Sequence, residues 1–149
     1  MNDMNNNVRI RISYILCTLI SLSLGTVIYL VLRKGTYLHT FLPEIIDLKF
    51  EYLREATKES VFITFLKYYF VDFLWGLSLN FALLSVVDFK KKSRVIIVSV
   101  VSALWGILFE IAQLFSLTKG TFDFSDVFMY ILAVIVSALI NKFLTKRMD

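Results

Sequence analysis

Residues 12–32, twenty-one in a row, carry no charge; Arg9 and Arg11 stand before them, Arg33 and Lys34 behind. About 20 residues at 1.5 Å of rise cross the roughly 30 Å hydrocarbon layer of a bilayer. The run therefore reads as a transmembrane helix. A cleaved signal peptide is the competing reading. Against it, the apolar run is too long for a typical signal core, and the following "VLRKGTYLHT" lacks a small-x-small cleavage pattern.

Three more apolar blocks follow, predicting membrane helices over about 68–87, 95–117 and 127–143. Each contains a wholly uncharged stretch of only 15 residues: 73–87, 95–109 and 127–141. Such a stretch rises roughly 22 Å, short of the hydrocarbon thickness. To cross, each helix must bring its acidic end, Asp72, Glu110 or Asp126, into the membrane boundary. The hydrophobic fraction of 58% exceeds the roughly 45–50% of a soluble domain. The 149 residues suit a single domain. These features predict an all-α membrane protein with four transmembrane helices. The net charge of +4 does not point to nucleic acid, because Lys and Arg sit at the ends of the apolar blocks.

The short connection "FKKKSR" is the strongest vote for a cytoplasmic side. With it inside, nine Lys and Arg fall within and seven without, and both termini are cytoplasmic. The first connection then lies outside. In it, "LPEIIDLKFEYLREATKES" predicts an extracytoplasmic amphipathic helix over about 43–60, with Pro43 in the first turn and Glu44 and Asp47 complementing the helix dipole. Ile45, Leu48, Tyr52 and Ala56 share one face, flanked by Ile46, Phe50 and Leu53. Whether "VFITFL" belongs to this helix or to the next membrane helix is open.

Depth brings the polar residues together. Asp72 near the start of the second membrane helix, Glu110 and Gln113 near the end of the third, and Asp123, Asp126 and Tyr130 at the start of the fourth share one layer, with Lys119 above. Glu110 and Gln113 lie on one helix face with Gly106 a turn away; Asp72, Trp75, Gly76 and Leu79 form a stripe; Asp126 and Tyr130 are four apart. A polar pocket open to the outside is the expected result. Its catalytic candidates are Glu110, Asp126 and Asp123; its substrate-binding candidates are Gln113, Lys119, Asp72, Trp75, Thr121 and Tyr130. Plainer readings stand beside these. Asp72 and Asp126 suit helix caps, and Trp75, Tyr68, Tyr69 and Tyr130 suit an aromatic belt. Glu110, two turns inside its block, is the strongest functional candidate, because ionisable groups in hydrocarbon are costly. The single cysteine, Cys17, excludes an intramolecular disulfide, and the single histidine, His39, has no partner for a zinc site. The carboxylates suit Mg²⁺ or Ca²⁺ chemically, but no spacing is diagnostic of either, and the sequence leaves the cofactor unknown.

The pattern Glu110-x-x-Gln113, then "TKGTFDFSD" with Thr121, Phe122, Asp123 and Asp126 entering the last helix, resembles the VanZ-like membrane family, named for a teicoplanin-resistance protein. The resemblance covers about residues 104–139. Lys119-Gly120 stands where the family commonly has an Arg, Tyr130 and Ala133 where it has Asn and Gly, and "YYFVDFLWGLSL" replaces its Asp-Lys…His pattern. It implies a divergent, multi-pass protein of the bacterial cytoplasmic membrane, concerned with the cell envelope or glycopeptide resistance.

Two function classes follow from the residues. In one, the pocket binds or acts on a lipid-linked or envelope molecule such as a cell-wall precursor, surrounded by membrane lipids; Glu110 and an Asp do hydrogen-bonding or acid–base work, and Lys119 meets an anionic group. In the other, the protein is a small proton- or cation-coupled transporter with Glu110 as the ion site, or a structural assembly subunit.

Overall fold

The computed structural model describes residues 2–33, 44–118 and 121–146. Along the chain run α1 (Asn2–Leu32), α2 (Glu44–Ala56), α3 (Val61–Phe65), a π-helical turn (Leu66–Phe70), α4 (Val71–Val86), α5 (Lys92–Leu114) and α6 (Phe124–Lys146), with no strand among the described residues. His39 and Pro43 lie outside them.

Four stretches are long and apolar enough to span a bilayer: Asn6–Leu32, Val61–Val86, Lys92–Leu114 and Phe124–Lys146. The shortest, 23 residues, rises roughly 35 Å and covers the hydrocarbon. The 15-residue uncharged stretches are thus completed by helix that includes the acids.

The boundaries differ from expectation for local reasons. The second membrane helix starts at Val61, not Tyr68. Ser60, in extended conformation, accepts the Ile63 N–H on Oγ at 3.3 Å and begins it there. "VFITFL" therefore joins the membrane helix, and α2 ends at Ala56 rather than at residue 60. In α2, Arg54 reaches back to the Leu30 and Arg33 carbonyls at 3.2 and 3.0 Å, at the α1 C-terminus, where backbone acceptors lack helical partners. Tyr52 is 72% exposed, so the bundle does not cover that part of the α2 face.

α5 stops at Leu114, three residues early. The Ser116 N–H donates to Gln113 O at 2.9 Å and the Leu117 N–H to Ala112 O at 2.8 Å, with Ser116 at φ 56°. This is the Schellman ending, which favours glycine at the left-handed position. A left-handed non-glycine residue costs about 1 kcal/mol. Ser116→Gly is expected to raise the Tm of the purified protein by roughly 2–4 °C; an unchanged or lower Tm would show that Ser116 is not strained.

α4 is the centre of the bundle and packs against α1, α5 and α6. Its buried side chains Leu77, Phe81 and Leu84 join Ile10, Tyr14, Phe89, Val98 and Ala133 in the core. Tyr14 stacks on Phe81 at 5.9 Å and meets Phe89 edge-on at 5.6 Å, and its hydroxyl donates to Asn141 Oδ1. Arg11 donates to the carbonyls of Ser85 and Val87 at the end of α4 and lies over the Phe89 ring. Asn80 donates to Ser137 Oγ between α4 and α6. Where hydrocarbon is the solvent, packing and such cross-helix hydrogen bonds hold a bundle together. The outward rows, such as Leu16, Ile20 and Val27 on α1 or Ile97 and Leu108 on α5, stay exposed.

Candidate functional site

Close approach builds the site. A Cβ on Gly106 of α5 would run into Tyr130 Cγ, and one on Gly76 of α4 would lie 3.0 Å from Tyr130 Cδ1 and 3.2 Å from Ala133 Cβ. Two glycines on two helices thus clear the space that the Tyr130 ring of α6 fills. Gly25 does the same for Trp75: its Cβ would meet the indole Nε1 and Cδ1 at 2.9 Å, and Leu74 Cβ at 3.3 Å. That seats Trp75 against α1, with Tyr29 at 5.2 Å between centroids.

The acids gather around Tyr130. Its hydroxyl donates to Asp72 Oδ1 at 3.5 Å, while Asp72 Oδ2 is buried without a partner and the residue is only 9% exposed. Glu110, 2% exposed, accepts the Asp123 backbone N–H on Oε2 at 3.3 Å and the Gln113 amide on Oε1 at 3.5 Å. Asp123 caps α6, its Oδ1 accepting the Ser125 N–H at 2.8 Å. Asp126 is free of that duty, and its Oδ1 is buried without a partner. Asp72, Glu110 and Asp126 feel one another's charge. Among the described residues, the ion pairs are Lys67–Glu59 and Lys91–Asp88, and neither involves these acids.

Among the described residues, one cation lines the cavity with them. Arg33, just past α1, donates from Nε to the Lys67 carbonyl in the π-turn at 3.0 Å and lies over Tyr29 and Tyr68 at 5.0 and 5.4 Å. Its field reaches Asp72 and Asp126.

These groups surround a cavity of about 580 Å³ whose lining includes Asp72, Glu110, Asp123, Asp126, Tyr130 and Arg33. Gln113, Thr121 and Trp75 also line it. Of the catalytic and substrate-binding candidates named from the sequence, Lys119 alone lies outside the described residues. Two cap assignments change. Asp123, not Asp126, caps α6, and Asp72 caps nothing because helix runs unbroken through it from Val61. Arg33, Tyr29, Trp105 and Phe109 are wall residues that sequence reasoning missed. Arg33 was visible as the first charge after the longest apolar run, at the depth of the acids, but it was counted only for orientation. Among the described residues, no three His, Cys, Asp or Glu side chains come together in a way that could hold a metal ion.

Fold and site together define a multi-pass helical membrane protein with an acidic, aromatic-walled cavity at one end of its bundle. Compared with protein-family models, curated proteins and solved structures, the chain matches none.

Proposed function

We propose that this is a divergent VanZ-like protein of a bacterial cytoplasmic membrane, with both termini cytoplasmic and the cavity facing outward, and that the cavity binds or acts on a lipid-linked or cell-envelope molecule. One observation carries the reading. Carboxylates from three helices converge on a single cavity, and two of them keep buried oxygens, Asp72 Oδ2 and Asp126 Oδ1, without a partner. Unsatisfied buried acceptors are costly, and a ligand that donates to them repays the cost. Glu110 and Asp126 take the hydrogen-bonding or acid–base role, and Arg33 with Lys119 receives an anionic group. The bundle's other end favours binding over a through-pathway, since Tyr14, Phe81 and Phe89 pack there as a closed aromatic cluster.

Exposed Thr121 on the cavity wall offers the test of orientation. In a Cys17→Ser background, Thr121→Cys is expected to react with a membrane-impermeant maleimide in intact cells. Labelling only after permeabilisation would reverse the topology. Native mass spectrometry of the purified protein is expected to find a retained envelope lipid or precursor that Asp126→Asn loses. A protein that emerges empty from every mild detergent would overturn the binding reading.

A further inference from the structure

The cavity has polar valences of both kinds left open. On the acceptor side are Asp72 Oδ2, on a residue nine-tenths buried, and Asp126 Oδ1. On the donor side is Arg33, which lines the cavity and, among the described residues, hydrogen-bonds through Nε alone. Among the described residues, four carboxylates face one guanidinium across the lining. A purely anionic ligand would meet strong repulsion there, and a purely apolar one would leave every valence open. A group carrying both signs satisfies each side: N–H donors for the acids, an oxyanion for Arg33. Open carboxylate oxygens ask for N–H donors, which favours a primary ammonium over a fully methylated one.

The wall is also incomplete on one side. α4 packs against α1 and α5, but among the described residues α1 and α5 form no extensive interface with each other. Trp105 and Phe109 line the cavity and are nevertheless 66% and 46% exposed. The gap between α1 and α5 therefore opens from the polar chamber toward the hydrocarbon, an exit for acyl chains.

We infer that the cavity seats the zwitterionic head group of a membrane lipid, a primary ammonium on Asp72 and Asp126 and the neighbouring phosphate on Arg33, with the lipid chains leaving between α1 and α5. The inference rests on the proposed role of the cavity as a site for lipid-linked molecules and names the head group that it takes.

Both tryptophans of the chain, Trp75 and Trp105, stand in the cavity wall, so tryptophan emission reports on this site, and since Trp105 also faces the detergent the wild-type titrations are read against those of Asp72→Asn and Asp126→Asn. The purified full chain in mild detergent is titrated with a short-chain lipid bearing an aminoethyl phosphate head. Parallel titrations use the same lipid with a trimethylated ammonium, the same lipid with a bare phosphate, and soluble aminoethyl phosphate without chains. A saturable change with the aminoethyl lipid is expected, about tenfold weaker with each of the other three and about tenfold weaker in Asp72→Asn and Asp126→Asn. Equal binding of the bare-phosphate or trimethylated lipid would overturn the ammonium assignment while leaving a lipid site standing. Equal binding of soluble aminoethyl phosphate would overturn the lipid as its source. No response to any probe overturns this inference; if native spectra nevertheless show a retained precursor, the wider reading survives it. Should Asp72→Asn fail to fold, Asp126→Asn and the four wild-type titrations decide the matter.

Discussion

Glu110→Ala is expected to lose both stability and membrane accumulation, whereas Glu110→Gln keeps both and loses only ligand retention. Glu110 is 2% exposed and receives the Asp123 backbone N–H, a donor at the threshold of α6 with no helical partner of its own. Alanine removes the acceptor, and the orphaned donor costs about 1–3 kcal/mol. It also leaves a void where the side chain lay. Glutamine keeps an oxygen at the same reach, so the connection from α5 into α6 still closes; it removes the charge. The checks are the monodisperse fraction after extraction, the Tm of each purified variant, and lipid retained in native spectra. Equal loss of Tm in both variants would mean that Glu110 is held for structure by its charge, and equal retention of ligand would remove it from the site.

Gly106→Ala is the other substitution with a large expected effect. The new methyl would run into Tyr130 Cγ and sit 2.6 Å from both Cδ atoms, which forces the ring to move. On the far side Gly76 already lies close to Tyr130, and a Cβ there would lie 3.6 Å from its Cα, so there is little room to retreat. Overpacking of this kind costs about 1–3 kcal/mol. Gly76→Ala, with nearest contacts of 3.0 and 3.2 Å, is expected to cost less. Tyr130→Ala should relieve most of the Gly106→Ala penalty, giving a coupling of at least about 1 kcal/mol in a double-mutant cycle of Tm-derived stabilities. Simple additivity would mean that the two residues do not share space.

The four long helices were legible because uncharged runs report how far a segment lies from water. The same depth argument placed Asp72, Glu110 and Asp126 at one level, and the cavity lining contains all three. Hydropathy along one helix says nothing about which neighbour that helix touches. The Tyr14–Asn141 hydrogen bond joins residues 127 apart, and the Asn80–Ser137 pair 57 apart; neither has a sequence signal. The exchange of roles between Asp123 and Asp126 turned on the exact first residue of α6. Three residues of offset separate a capping carboxylate from a free one. Arg33 was read as a flanking charge because its alternative, a seat over two tyrosines and against a backbone carbonyl, depends on contacts from a different helix.

The π-turn at Leu66–Phe70 has a consequence for how α4 meets the rest of the site. A wide turn holds one residue more than an α-helical one, and each residue carries about 100° of rotation. Asp72, two residues past it, therefore keeps its heading toward Tyr130 while Lys67 turns its carbonyl to Arg33. Rewinding the segment as ordinary α-helix with all its residues kept would swing everything upstream by about a quarter revolution relative to α4. The helix would remain whole and equally greasy, yet the positive and negative walls of the chamber would no longer look at each other. One surplus residue in the membrane sets their mutual aim.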